Sequence, residues 1–147
     1  MNRFINRKMN KLLIISLLGL AACLAFVIPN NSNSSSSIDF TTNSLETALE
    51  KAKTTNKLVF LDVSTSWCGH CKKMKKNTYT NNDVVDYLNQ DYICVSIDAE
   101  KGDGPAVARK YGVSAFPTVI VLNADGSLKD KSTGYLKPQQ LLKFVKL

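Results

Sequence analysis

Histidine and tryptophan occur once each in the 147 residues, and cysteine only four times. With one histidine and no second Cys/His pair, a structural zinc site lacks ligands. Four cysteines are too few for a disulfide-stapled mini-protein. Seven glycines and four prolines exclude a collagen-like chain. An apolar share of 44% and a charged share of 21% exclude a wholly disordered chain and a polytopic membrane protein. Acids are missing from the N-terminal end, where none precedes Asp39. Of the 19 basic residues, Arg3, Arg7, Lys8 and Lys11 precede the first apolar run, so the remaining 15 face all 12 acids. A remainder at +3 makes no case for nucleic-acid binding, although the whole chain stands at +7.

What is present divides into three segments. Residues 1–28 join a basic start to Leu12–Ile28, an uncharged run of 17 residues. As a helix at about 1.5 Å per residue it spans roughly 26 Å, just short of a hydrocarbon core of about 30 Å. A basic stretch before such a run reads as an export signal, with the basic end held in the cytoplasm. Leu20-Ala21-Ala22-Cys23 resembles a bacterial lipobox, which would make Cys23 a lipidation site on a tethered lipoprotein. Leu24 to Ile28 continue the apolar run beyond that cut, which is the pattern of an uncleaved signal anchor; a fully released protein is the third outcome. In each case the remainder works on the periplasmic or extracytoplasmic side. Residues 29–37 are Asn/Ser-rich without apolar periodicity and read as a flexible tether.

Residues 38–147 alternate between strand and helix patterns. Ile38-Asp39-Phe40 reads as a short edge strand. Leu45, Ala48, Leu49 and Ala52 follow helical spacing, capped by Asn43 or Ser44. Leu58 to Val63 is apolar except at Asp62, the pattern of a central strand buried on both faces. Helices follow from Cys68 and over Asp83–Asn89, capped by Asn81 or Asn82, and Tyr92–Ile97 is a strand. A short helix over Ala106–Tyr111 leads to a Val119–Leu122 strand, a turn at Asn123–Gly126 and a return strand over Leu128–Thr133. Pro138 suits the first turn of a last helix with Leu141, Leu142 and Val145 on one face. The order β-α-β-α-α-β-α-β-β-α is an α/β layer fold around a mixed sheet.

Trp67-Cys68-Gly69-His70-Cys71 follows a strand and opens a helix. Cysteines three apart sit one turn from each other and can bond across it. Free N–H groups and the helix dipole favour an anion at Cys68, and the thiolate is the nucleophile of disulfide exchange. His70 can place positive charge between the sulfurs, which favours the dithiol form. Cys71 is followed by Lys72, so the haem-attachment motif is absent.

Strand-Trp-Cys-x-x-Cys-helix, with Ala115-Phe116-Pro117-Thr118 before a later strand, resembles the thioredoxin superfamily over residues 38–147. The resemblance implies a thioredoxin-like fold and a protein thiol–disulfide oxidoreductase. It makes Cys68 the exposed attacking thiol and Cys71 the buried resolving thiol, joined as a disulfide when oxidised. Pro117 matches the cis-proline that faces the disulfide. Trp67, Gly69, His70, Phe116, Pro117 and Gly134 then contact the substrate, with Gly134 on the last strand where a peptide approaches. Asp62, six residues before Cys68, matches the buried acid that takes a proton from the resolving thiol. Burial would raise its pKa toward neutrality.

The chain departs from cytosolic thioredoxins in two places. Gly69-His70 replaces their Gly-Pro and is similar to protein disulfide isomerases. Cys94 matches the position where many thioredoxins place a lysine near the buried acid. Asp62-Val63-Ser64, Lys72-Lys73-Met74 and Gly134-Tyr135-Leu136 are similar to bacterial envelope relatives such as the C-terminal reductase domain of the DsbD type. Cys94 otherwise reads as a small buried residue on a strand, and Lys72, Lys73, Lys75 and Lys76 as a solvated face or a steering patch for acidic partners.

These readings converge on an exported, membrane-tethered monomer. It exchanges disulfides with protein thiols through Cys68 and Cys71 as a reductant fed by a membrane electron donor, without cofactor or metal. An oxidase or isomerase is the alternative of opposite direction. A metal-handling module that uses the two thiols as soft ligands is the non-catalytic one.

Overall fold

The computed structural model describes residues 36–42 and 44–146. The signal or anchor, Cys23, most of the Asn/Ser tether and Asn43 lie outside them. Among the described residues no helix is long and apolar enough to cross a membrane.

The elements are β1 (Phe40–Thr42), α1 (Leu45–Thr55), β2 (Leu58–Ser64), α2 (Gly69–Asn77), α3 (Asn82–Asp91), β3 (Tyr92–Asp98), α4 (Gly104–Lys110), β4 (Thr118–Leu122), β5 (Leu128–Thr133) and α5 (Pro138–Val145). Their order is the one the sequence pattern predicts. The five strands form one sheet in the order β1-β3-β2-β4-β5. β2 runs parallel to β3 and antiparallel to β4, so the sheet is mixed and β2 is its centre.

Local chemistry sets the helix ends. Ser44 caps α1 by accepting the Thr47 N–H at 3.4 Å. The helix stops at Asn56, a residue type that tolerates the left-handed backbone it adopts there. Asn81 caps α3 through the Val84 N–H at 3.3 Å. Pro105 lies in the first turn of α4, which therefore begins two residues before the predicted Ala106. Gly104 permits this start. A Cβ at that position would lie 1.9 Å from the Asp98 carbonyl oxygen, so only glycine lets α4 pack against the end of β3.

The edge strand begins at Phe40 rather than Ile38. The Asp39 N–H donates to Asn89 Oδ1 at 2.8 Å, and Asn89 Nδ2 donates to the Ser37 carbonyl at 3.0 Å. An α3 side chain thus holds this stretch, and β-pairing starts at Phe40 opposite Cys94.

Alternation along the strands builds a core on each face. Val59, Leu61, Val63, Ile93, Val95, Ile97, Ile120 and Leu122 meet α1 and α4 on one face. Phe60, Cys94, Val119 and Val121 meet Met74, Val84, Val85, Leu88, Leu141 and Val145 on the other. Leu142 is only half-buried at the rim of that second layer. Each fully buried aliphatic side chain contributes about 1.5–3 kcal/mol, so both layers are needed to fix the sheet. Asp62 follows Phe60 by two and therefore points toward the α2 side.

Candidate functional site

Two registers place the predicted site residues at one end of the sheet. Val63 pairs with Thr118, and Thr118 with Thr133. The C-terminal end of β2, the residue before β4 and the residue after β5 therefore lie level with one another. Cys68, Pro117 and Gly134 follow from these positions.

Cys68 is the N-cap of α2, and its Sγ accepts the Cys71 N–H at 3.1 Å. That donor and the helix dipole would stabilise a thiolate at Cys68. Cys68 and Cys71 are joined in a disulfide with their Cα atoms 5.3 Å apart. The resemblance implies an exposed Cys68, and here the structure differs. Cys68 is 5% exposed against 3% for Cys71, so both are buried. The Cys68 sulfur is covered by its bond to Cys71 and by the Cys71 amide, while Trp67, Gly69 and His70 around it are exposed. Cys71 and Met74 are the two buried positions of α2, spaced to face the sheet together.

Trp67 is 64% exposed, the most exposed large apolar side chain among the described residues. Its indole N–H points at the Glu100 carboxylate, 3.0 Å from each oxygen, and its ring packs edge-on against Phe116 at 6.1 Å between centroids. These two contacts hold the ring beside Cys68. The Phe116–Pro117 bond is cis, as the resemblance implies. The Gly134 N–H donates to the Pro117 carbonyl at 2.8 Å. Gly134 lies just past β5 rather than on it, with φ +102°, a conformation that L side chains rarely adopt. Nothing stands within 4 Å of where its side chain would be, so the backbone is open to an approaching strand. Thr118 braces the loop with hydrogen bonds to the Ala115 carbonyl at 2.8 Å and to the Thr133 hydroxyl at 3.0 Å.

Asp62 lies beneath α2 and is 1% exposed. Tyr79 Oη donates to its Oδ1 and Ser96 Oγ to its Oδ2, each at 2.9 Å. Burial pushes the Asp62 pKa up; the hydroxyls and the Lys75 charge pull it back only in part, so it stays above the ordinary carboxylate value. Burial and the adjacent Asp62 also push Tyr79 well above its usual range, so its hydroxyl remains a donor.

Tyr79, Ser96 and Glu100 are the site residues that sequence reasoning missed. Asp62 pairs with Ser96 across the β2–β3 ladder, while Cys94, the position matched to a lysine, sits opposite Phe60, so the carboxylate is held by the hydroxyls of Ser96 and Tyr79. Cys94 belongs to the second core layer. Its Sγ lies 3.8 Å from the Leu88 carbonyl, and burial pushes its pKa up to about 12. It takes no part in the disulfide centre. Lys72, Lys73, Lys75 and Lys76 line the solvent face of α2, with Lys73 Nζ 4.9 Å from the Tyr135 ring centroid. Among the described residues, no three His, Cys, Asp or Glu side chains converge on a common metal position.

Residues 45–147 match the family described as Thioredoxin-like domain. The chain is 27% identical over 140 residues to the thiol:disulfide interchange protein DsbD of Campylobacter jejuni, a match that covers 90% of this chain and 24% of that protein. It therefore spans about a quarter of the length of that relative. It is 33% identical over 98 residues to thioredoxin H4 of Arabidopsis thaliana, which covers 67% of this chain and 77% of the relative. The solution structure of a candidate disulphide-isomerase from Bacteroides thetaiotaomicron superposes with a TM-score of 0.69 at 37% identity, over 77% of this chain and 93% of that one.

Proposed function

The chain belongs to the thioredoxin-like domain family of disulfide oxidoreductases, and from that premise we propose that it is a reductant for protein disulfides in the bacterial cell envelope. The observation that carries the reading is the Cys68–Cys71 disulfide at the N-terminus of α2, over a buried carboxylate and level with a cis-proline. In the reduced protein the Cys68 thiolate attacks one sulfur of a client disulfide. A mixed disulfide forms, and the other client sulfur leaves as a thiolate. The Cys71 thiol gives its proton to the Asp62 carboxylate. The Cys71 thiolate attacks Cys68 Sγ and displaces the second client sulfur. Two electrons pass to the client, and the Cys68–Cys71 disulfide is left. Trp67, Phe116, Pro117 and Gly134 form the surface on which the client strand lies, flanked by Gly69 and His70.

The basic N-terminus and the apolar run Leu12–Ile28 support export and a tether, through a lipid on Cys23 or an uncleaved anchor. An envelope reductant has no cytosolic reductase at hand, so it draws electrons from a membrane thiol donor. The working form is a monomer. A second reading, an isomerase or oxidase, rests on the exposed Gly69-His70 pair and on the candidate disulphide-isomerase among the similar structures. The reduction potential of the Cys68–Cys71 pair, measured on the full chain by equilibration with glutathione, separates the two. A potential near about −250 mV or lower supports the reductant, while one between about −180 and −120 mV assigns the opposite direction. If glutathione never drives formation of the disulfide, exchange chemistry is excluded and a soft-metal carrier takes its place.

A further inference from the structure

Between Lys72 and Lys76, α2 carries lysine at every position but Met74, and the helix has no acid. Among the described residues none of these lysines stands in an ion pair. At about 100° per residue, Lys72, Lys76 and Lys73 fall within one arc of about 100°, opposite the buried stripe of Cys71 and Met74. All three are exposed. Lys75 stands off that arc, on the side of a cavity that it lines with Asp98 and Asp103. Helix stability does not account for the charge. Lys72 and Lys76 are four apart and Lys73 and Lys76 three apart, spacings at which like charges oppose helix formation. The helix dipole favours Lys76 in the last turn but not Lys72, which stands nearer the N-terminus. The patch is continuous with the exchange site. The Lys72 N–H donates to the Cys68 carbonyl at 3.2 Å, one turn from the disulfide. Lys73 Nζ lies 4.9 Å from the ring centroid of Tyr135, the residue after Gly134. The Thr78 hydroxyl, at the end of α2, donates to the Leu136 carbonyl at 2.7 Å. It holds residues 134–137 near the same helix, and these contain no acid and end on the exposed Lys137.

We propose that the face of Lys72, Lys73 and Lys76 is a docking surface for an acidic segment of a protein client. Charge complementarity selects this occupant. A client with carboxylates beside its disulfide sets them over the three ammonium groups as its sulfur meets Cys68. Exposed charges hold a partner only weakly, so the surface acts mainly on the rate of productive encounter. An anionic bilayer laid on the same lysines would also cover the groove at Tyr135 and shut the disulfide off from clients, so a protein is the better occupant. The lysines touch the client rather than the reacting sulfurs, and they decide which disulfides are met fastest.

The inference rests on the exchange reaction proposed above, and the test separates the two. The fully reduced full-length chain is mixed in stopped flow with three peptides that share one internal disulfide and lack tryptophan. Their flanks are glutamates, glutamines or lysines. Oxidation of the chain is followed by the fluorescence of Trp67, the one tryptophan. Each rate is divided by that of the glutamine peptide with the same protein, which cancels any common effect on the Cys68 thiolate. At low salt the glutamate peptide reacts about tenfold faster than the glutamine peptide, at the low end of electrostatic steering, and the lysine peptide more slowly. Molar salt removes most of the difference. The variant Lys72→Gln/Lys73→Gln/Lys76→Gln loses the preference. A control, Lys51→Gln/Lys53→Gln/Lys110→Gln, removes the same charge from exposed positions on α1 and α4 across the sheet and keeps it. Equal rates for the three peptides with the wild type overturn the docking surface and leave the exchange reaction intact. So does a preference that survives in the α2 variant or disappears equally in the control. Equal peptide rates, with slowing by phosphatidylglycerol vesicles that the α2 variant escapes, assign the lysines to a membrane and also overturn it. No oxidation by the glutamine peptide removes the exchange reading and the docking surface with it.

Discussion

Replacing Tyr79 by phenylalanine deletes one buried hydroxyl oxygen from the site. The ring remains, with its centroid 5.7 Å from that of Phe40 and 6.2 Å from that of Phe60, so little packing is lost. What disappears is the 2.9 Å hydrogen bond from a buried hydroxyl to a buried carboxylate. A hydrogen bond to a charged group contributes about 1.5–3 kcal/mol, against about 0.5–1.5 kcal/mol for a neutral pair. The cost therefore depends on whether Asp62 is ionised. Its folded pKa already stands above the unfolded value. The folded state then binds the proton more tightly than the unfolded state, and stability falls as pH rises through that interval. Loss of the Tyr79 donor removes support from the charged form alone and pushes the folded pKa higher still. The variant's deficit should therefore be about 2 kcal/mol where Asp62 is ionised, and below about 1 kcal/mol on the acid side of its titration, where the neutral carboxyl can donate to Ser96. Where the carboxylate is ionised this corresponds to a melting temperature lower by roughly 8 °C. Tyrosine ionisation does not interfere, because Tyr79 titrates well above its usual range. Urea unfolding of both proteins across the pH range over which the fold is stable measures the difference directly. A deficit that stays constant across that range, or grows toward acid pH, would refute the claim that Tyr79 serves the ionised carboxylate.

Two further outcomes follow from neighbouring features. Gly104→Ala places a Cβ against backbone atoms of Asp98, 1.9 Å from the oxygen and 2.8 Å from the carbon, and neither can swing aside. It should cost at least about 2 kcal/mol, the middle of the range for overpacking, and a melting curve indistinguishable from wild type would show that α4 packs elsewhere. Cys94, with its pKa pushed up to about 12, should stay unalkylated by iodoacetamide in the reduced native protein at pH 8 and react only after denaturation. Peptide mass mapping that finds Cys94 labelled as fast as Cys68 would contradict its burial.

The element order and the disulfide were legible in the sequence because their signals are local. Ser44, Asn81 and Pro138 mark helix starts within one turn, and Cys68 and Cys71 are three residues apart. The residues around Asp62 were not. Tyr79 lies 17 residues away and Ser96 34, and only the β2–β3 register and the turn after α2 bring them to one carboxylate. A lone serine on a strand carries no sequence pattern that announces such a contact. Glu100 was missed for the same reason, since its partner Trp67 is 33 residues away. The burial of Cys68 comes with its bond to Cys71 and its contact with the Cys71 amide, which the resemblance to an exposed thiol does not announce. The edge strand was shifted because a side chain on α3, Asn89, satisfies the Asp39 amide that would otherwise join the ladder.

The position of β2 at the centre of the sheet also sets a gradient of mobility. Its amides are paired on both sides, with β3 and with β4, and all but its first residue are buried. Exchange of those amides with deuterium requires opening of the whole domain. β5 is paired on one side only and has no buried residue, so its amides exchange by fraying. Cys68 hangs four residues from the end of β2, whereas Gly134 follows directly on β5. Cys68 is therefore anchored to the central strand and Gly134 to an edge strand. On the function proposed above, the client groove would widen or narrow on its Gly134 side while the attacking sulfur keeps its place.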